Sequence, residues 1–469
     1  QRAQAADLVV VNHHLLLADL ALKQEGFGEI LPGAQAFVVD EAHQLPELAA
    51  QFFGEGLGAR QMLELARDAI GECKDVPSAL ATLQAPVREL EHAVRAVRAA
   101  MEPLPTRGTR HRVLHDGQVR DAFDLLGNVL QQFAETLAPL REASPGLDAC
   151  HARALEFSAR LMRWLAQRDL DADFDAADDD VRWYELSPRG FRLQRTPLDV
   201  SAPLRAHRER SHAAWVFTSA TLAVADEFGH IATRLGLDAP TTLLQPSPFD
   251  WNTQALCYLP PALPEPMSRG YNPALIEALL PVLHASRGRA FVLFASHRAL
   301  RDAADALRGG PWPLFVQGDA PRHVLLQRFR ESGNGVLLGA ASFREGVDVV
   351  GAALSVVVID KLPFAAPDDP VFEARLDAVR RAGGNPFRDE QLPQAVIALK
   401  QGAGRLIRSE TDRGVLVLCD PRLLGKSYGR VFLDSLPPLP RTRRIGDVEA
   451  FFAAESPSHL QPGTVGHPS

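Results

Sequence analysis

The feature that most narrows the folds open to this chain is a set of short, wholly apolar runs that stop at small or polar residues. Two lie early, Leu8-Val9-Val10-Val11 and Ala36-Phe37-Val38-Val39, and Trp215-Val216-Phe217-Thr218 follows much later. Five more follow at Ala290 to Phe294, Leu314 to Val316, Gly335 to Leu338, Leu354 to Ile359 and Gly414 to Leu418. A strand covered on one face alternates apolar and polar residues, whereas a strand buried on both faces does not, so these runs predict parallel sheets clothed by helices. The expected fold class is α/β, with two parallel-sheet units.

Between Val39 and Trp215 the texture changes to helical periodicity. Val87, Leu90, Val94, Val97 and Met101 recur at three- and four-residue spacing, as do Phe123, Leu126, Leu130, Phe133, Leu137 and Leu140. Such stripes bury against one another in a helical insert or present a face to a partner. Ser187-Pro188-Arg189-Gly190 separates two strand-like runs and predicts a hairpin. Asp169 to Asp180 carries seven Asp; its Asp171, Asp173 and Asp175 resemble the start of a calcium loop, but Ala176 and Arg182 stand where Gly and Glu are needed, so a solvated acidic loop is expected. The Pro-rich stretch from Pro246 to Pro273 reads as a linker. The expected domains are 1–56 and 201–250 as parts of a first α/β unit, 57–200 as its mainly helical insert, 251–454 as a second α/β unit, and 455–469 as a disordered tail.

Composition excludes some classes. The 469 residues include 50 Lys and Arg against 58 Asp and Glu, a net charge of −8, of which the acidic run supplies seven units. Residues 380–444 carry thirteen basic and six acidic side chains, a basic excess suited to tracking phosphates. No apolar stretch approaches the ~20 residues that span a bilayer. Four widely spaced cysteines, Cys73, Cys150, Cys257 and Cys419, match neither a zinc site nor a disulfide framework and read as reduced thiols of a cytoplasmic protein. The chain starts at Gln1, almost directly on a strand-like run, and is expected to be truncated at its N-terminus.

Chemistry concentrates in four places. Asp40-Glu41-Ala42-His43 puts two carboxylates at the end of a buried strand, where open α/β sheets bind ligands; Asp40 could hold Mg²⁺ beside a nucleotide and Glu41 polarise a water. Taken alone, the pair could equally open a surface helix favoured by its dipole. Ser219 and Thr221 follow a strand as small hydroxyl residues. Gln401, Arg405 and Arg408 fall three and four residues apart and, on an expected helix, share a face suited to a γ-phosphate, or merely to solvent. Gly339 to Asp348 is a small-residue segment after a strand, where Gly346 allows close backbone approach and Asp348 could hold a ribose hydroxyl or an arginine.

The order of these segments, with Val11-Asn12-His13-His14-Leu15-Leu16 upstream and Ser247-Pro248-Phe249, Ile359-Asp360-Lys361-Leu362-Pro363-Phe364 and Gly414 to Arg422 downstream, resembles the DinG/XPD-type superfamily 2 DNA helicases, nearest to their bacterial DinG/YoaA branch. The resemblance covers nearly everything outside the insert and the tail. It implies two RecA-like domains, with the insert as the family's arch. It implies an ATP-dependent, 5′ to 3′ DNA helicase of repair or replication, acting on single-stranded and forked DNA with ATP and Mg²⁺. It also implies roles for individual residues. Asp40 and Glu41 become the metal-binding and water-activating residues of a DEAH box, and His43 couples them to the second domain. Ser219 and Thr221 become motif III, Gly346 and Asp348 motif V, and Gln401, Arg405 and Arg408 motif VI, reaching across an interdomain cleft. Phe343 and Phe364, beside motif V, are the candidate stacking platforms for bases.

The pattern also breaks. No G-x-x-x-x-G-K-[ST] occurs; Gly425-Lys426-Ser427 comes nearest, but Asp420 replaces the first glycine and Pro421 removes an amide that the phosphate cradle needs. The family's phosphate loop and its four iron–sulfur cysteines would both precede Gln1, and none of the four cysteines present falls at a cluster position. The isolated chain is therefore expected to turn over little ATP, and the alternative reading is a truncated, ATPase-inactive module that binds DNA or a partner.

Overall fold

The computed structural model describes residues 3–25, 30–74, 76–166, 180–340, 343, 349, 351–365 and 369–454. The acidic run up to Asp179, the tail 455–469, and Gly346 and Asp348 lie outside the described residues. Thirteen strands are present among the described residues: β1 (Ala36–Val39), β2 (Glu55–Gly58), β3 (Arg107–Thr109), β4 (Asp180–Ser187), β5 (Gly190–Pro197), β6 (Ala214–Phe217), β7 (Ala255–Tyr258), β8 (Ala290–Phe294), β9 (Leu314–Val316), β10 (Val336–Ala340), β11 (Val356–Ile359), β12 (Gly414–Leu418) and β13 (Arg441–Thr442).

The chain divides into two compact units. In the second unit the apolar runs form a seven-stranded sheet of order β13-β7-β12-β11-β8-β10-β9, parallel at every pairing. Period-two alternation sorts each strand between two cores. Phe291, Leu293, Val357, Ile359, Leu416 and Leu418 face one side with the helix Leu392–Ala403, whereas Val292, Phe294, Val356, Val358, Val415 and Val417 face the other with the helices Tyr271–Ser286 and His297–Leu307. Both faces are covered, which is why these strands read as unbroken apolar runs. Each fully buried Val, Leu, Ile or Phe contributes about 1.5–3 kcal/mol. The Pro246 to Pro273 stretch is not a plain linker: it contains β7, whose Cys257 is fully buried between β12 and β13. Its four residues were too short, and too closely flanked by prolines, to stand out.

The first unit holds a smaller α/β part. β1 and β6 pair in parallel, Ala36 opposite Ala214 through Val39 opposite Phe217. Phe37 stacks on Trp215 at 4.4 Å between ring centroids. Leu8 to Val11 is not a strand; Leu8 and Val10 are exposed, and Asn12 instead caps the helix His13–Glu25 by accepting from the Leu15 amide at 2.8 Å.

The insert packs as its periodicity demands. Phe123, Leu126, Leu130, Phe133 and Leu137 on the helix Gly117–Leu137 bury in one core with Leu90, Val94 and Val97 on Pro77–Ala100 and with Met101 just past its end. Asp116 and Ser144 cap Gly117–Leu137 and Pro145–Leu165 through their side-chain oxygens. The helices pack beside an antiparallel sheet of order β2-β5-β4-β3, and the expected hairpin pairs Ser187 with Gly190. The helix Pro370–Arg381, which sequence order assigned to the second α/β unit, belongs to the first, where Arg375 lies 3.7 Å from Glu47. No helix among the described residues is long and apolar enough to cross a membrane.

Candidate functional site

The end of β1 is where the first set of predicted residues meets. Val39 is buried, Asp40 is exposed, and the chain then turns through Glu41 in the left-handed region, at φ 48° and ψ 42°. A non-glycine residue there costs roughly 1–2 kcal/mol. Neighbouring hydrogen bonds hold the turn: Thr218 N donates to Val39 O at 2.9 Å, Ala42 N to Thr218 O at 3.0 Å, and His13 Nε2 reaches Asp40 O at 2.7 Å. The pairing of the two chain segments thus continues past both strands and brings Ser219, two residues beyond β6, beside Glu41, two residues beyond β1.

Ser219 Oγ donates to Glu41 Oε2 at 2.6 Å, and His43 Nδ1 lies 2.9 Å from Ser219 Oγ and 3.3 Å from Glu41 Oε2. Because an ionised carboxylate only accepts, the serine proton is committed to Glu41, so His43 Nδ1 must carry the proton that it shares with Ser219. The Glu41 side chain is 53% exposed and the His43 side chain 8%. An aligned, solvent-facing carboxylate held from behind by the Ser219 hydroxyl suits the polarising of a water. Asp40, Glu41, His43 and Ser219 are therefore brought together. Thr221 is buried and falls in Ala220–His230, which packs with the second unit.

The second set corrects an expectation. The helix Leu392–Ala403 carries Gln401 but ends before Arg405 and Arg408, which stand in the loop leading to β12, so they do not share a helical face with Gln401. Gly404 N bonds Lys400 O at 2.8 Å and closes the helix. Beyond it, Leu406 and Ile407 are buried, while Arg405 and Arg408 on either side are half-buried. The loop is thus anchored in its middle and presents a guanidinium at each shoulder. Four residues before Gly404, Lys400 Nζ donates to Ala223 O at 3.0 Å, and burial pulls its ammonium below the ordinary range.

The stacking platforms fare less well. Phe343 is only 5% exposed and lies under the Arg322 guanidinium, so no open ring face is left for a base. Phe364 is half-buried among Phe387, Tyr428 and Phe432, with Arg422 at 5.5 Å from its ring centroid. Both rings follow strands and pack back onto the core, an outcome that neighbourhood to a motif did not reveal. Much of the basic excess is also internally paired: Arg422 with Asp420 at 2.6 Å, Arg430 with Asp434 at 3.1 Å and Arg388 with Asp389 at 3.0 Å. Asp420 further accepts from the Arg422 and Leu362 amides at 3.0 and 2.8 Å, while the Gly425 and Lys426 amides donate to Pro421 O and Arg422 O at 3.0 and 3.1 Å and so form no phosphate cradle.

Two cofactors implied by the resemblance can be weighed against the residues. Mg²⁺ beside a nucleotide keeps several waters and needs only one or two carboxylates, which the exposed Asp40 satisfies. An iron–sulfur cluster needs converging thiolates. Cys73, Cys150, Cys257 and Cys419 are all buried and unbridged, no metal-competent group of three ligands occurs among the described residues, and burial pushes the Cys257 thiol up to about 12. They do not fit a cluster.

By fold, the chain is of the XPD helicase kind. It superposes on an XPD helicase structure with a TM-score of 0.54 at 15% identity, covering 90% of this chain and 70% of that one, and on Xpd4 of S. tokodaii with a TM-score of 0.52 at 16% identity, covering 90% and 80%. Residues 279–439 match the helicase C-terminal domain family. The ATP-dependent DNA helicase YoaA of Escherichia coli K12 is 42% identical over 461 residues, 97% of this chain and 71% of its own length. The ATP-dependent DNA helicase DinG of Photobacterium profundum is 30% identical over 483 residues, 93% and 68% respectively. The chain belongs to the DinG/YoaA family of XPD-type helicases.

Proposed function

We propose that this chain is an ATP-dependent DNA helicase that couples hydrolysis to 5′ to 3′ movement on single-stranded and forked DNA, in the cytoplasm, during repair or replication. Asp40 holds Mg²⁺ and Glu41 orients the attacking water, with Ser219 fixing the carboxylate and His43 fixing Ser219. When bound, the metal offsets negative charge on the nucleotide phosphates. Gln401, Arg405 and Arg408 supply polar and positive groups to the γ-phosphate, where arginines are worth about 10³ to 10⁵ in rate. Gly346 and Asp348 contribute to the nucleotide side of the chemistry, and Thr221 acts with Ser219 in transmitting the nucleotide state. The motif order supports these roles; the observation that supports them most directly is the single serine hydroxyl bonded to both Glu41 and His43.

The test is DNA-stimulated ATP hydrolysis by the full-length protein. Glu41→Gln is expected to retain nucleotide binding and lose hydrolysis, while Ser219→Ala, which leaves Glu41 in place but unheld, is expected to lower kcat about tenfold, the equivalent of one charge-assisted hydrogen bond. Unaltered hydrolysis in Glu41→Gln would remove Glu41 from its role.

A further inference from the structure

Ten residues separate the helix Leu392–Ala403 from β12, and within them Arg405 and Arg408 must keep a defined aim although neither is on a regular element. Side chains outside the recognised motifs hold the backbone there. Asp412 is 6% exposed, and Oδ2 accepts from the amides of Arg408 at 2.7 Å and Ser409 at 2.9 Å, while Oδ1 accepts from the amide of Gly351 at 3.1 Å. One carboxylate therefore ties the backbone of an arginine of the loop to Gly351, three residues beyond Asp348. From the other side Gln254 Nε2 faces three carbonyls of the same loop, Ser409 O at 3.2 Å, Glu410 O at 3.0 Å and Asp412 O at 2.9 Å. The sheet explains its position. Ala255 of β7 is the register partner of Gly414 of β12, so the residue before β7 stands beside the residues before β12.

We infer that Asp412, assisted by Gln254, is a positioning residue for the arginine loop: it fixes the backbone from which Arg408 projects and links that backbone to Gly351. The inference rests on the proposed role of Arg408. Neither residue touches the nucleotide; both act by holding the loop. Three amides converging on one buried carboxylate are replaced poorly by an amide side chain, because Asn turns one acceptor into a donor that faces a donor.

Steady-state DNA-stimulated ATP hydrolysis by the full-length protein tests it, using Asp412→Asn, Gln254→Ala, Arg408→Ala and the Asp412→Asn/Arg408→Ala double variant. Asp412→Asn should lower kcat about 10- to 100-fold, the usual cost of a misplaced catalytic group, with KM for ATP within about threefold. Gln254→Ala should act in the same direction by about three- to tenfold, and it carries the test if thermal melting shows Asp412→Asn unfolded. In the Arg408→Ala background the Asp412 substitution should add less than about threefold, since a residue that acts through Arg408 has nothing left to position. A folded variant at either position with wild-type kcat, or losses that multiply in the double variant, overturns the inference. Wild-type turnover in Arg408→Ala alone overturns instead the reading of Arg408.

Discussion

Asp360 is a buried acid with an unusual setting, and replacing it by Asn should make the protein more stable at neutral pH. The residue follows directly on β11 and is 1% exposed. Its Oδ1 accepts from the amides of Ala295 at 2.9 Å and Lys361 at 2.6 Å, but among the described residues Oδ2 meets no donor. Around it stand Asp420, the phenol of Tyr271, the thiol of Cys419 and the cation of Lys361. Burial dominates, and it raises the Asp360 carboxyl from 3.8 to about 7 against the pull of the two amides and Lys361.

The sign follows from linkage. An acid whose folded value exceeds its unfolded value binds more protons folded than unfolded between the two, so stability falls as pH rises from about 4 to about 7 and is level above that. At about 1.4 kcal/mol for each unit, ionising Asp360 in place costs about 4 kcal/mol above pH 7. Asn keeps the acceptor at Oδ1 and never ionises. Urea unfolding of wild type and Asp360→Asn at pH 5, 6, 7 and 8 should therefore show a gap in favour of Asn that widens with pH and levels off near pH 8. A gap independent of pH, or one that shrinks as pH rises, would refute the reasoning.

Two further substitutions probe packing. A Cβ on Gly414 would lie 2.5 Å from Ser355 O and 2.6 Å from Leu406 Cδ1, so Gly414→Ala should cost about 1–3 kcal/mol in urea unfolding and displace the arginine loop through Leu406, lowering kcat for ATP as well. Phe123→Ala, emptying the fully buried centre of the insert, should cost about 3–5 kcal/mol in the insert's unfolding, measured by the loss of hydrogen-exchange protection across Gly117–Leu137 and Pro145–Leu165.

How much of this was legible in the sequence depended on what each residue's signal was. Strands buried on both faces announce themselves, because burial removes every polar residue from the run; β8, β9, β10, β11 and β12 lie within a residue or two of where they were expected. The insert's stripes were equally clear, since a helix with one buried face must repeat at three and four residues. β7 was hidden by its prolines, and Leu8 to Val11 misled because an apolar run does not by itself supply a pairing partner. The end of the helix at Ala403 was missed because Gln401, Arg405 and Arg408 fit helical spacing, while Leu406 and Ile407, which draw the chain into the core, fit it as well.

By itself the sequence determined the class of each element, the order of the motifs and so the family, because these depend on residues near one another in the chain. It also placed Asp40, Glu41 and Ser219 at strand ends, which follows from where apolar runs stop. Only the tertiary structure decided that Ser219 bonds both Glu41 and His43 across 178 and 176 residues of chain, that Phe343 is buried beneath Arg322, and that Asp412 and Gln254 grip the arginine loop from opposite sides. Those outcomes depend on strand register and on how loops satisfy buried amides. Both are fixed by contacts between distant segments, for which the composition and periodicity of any one segment carry no signal.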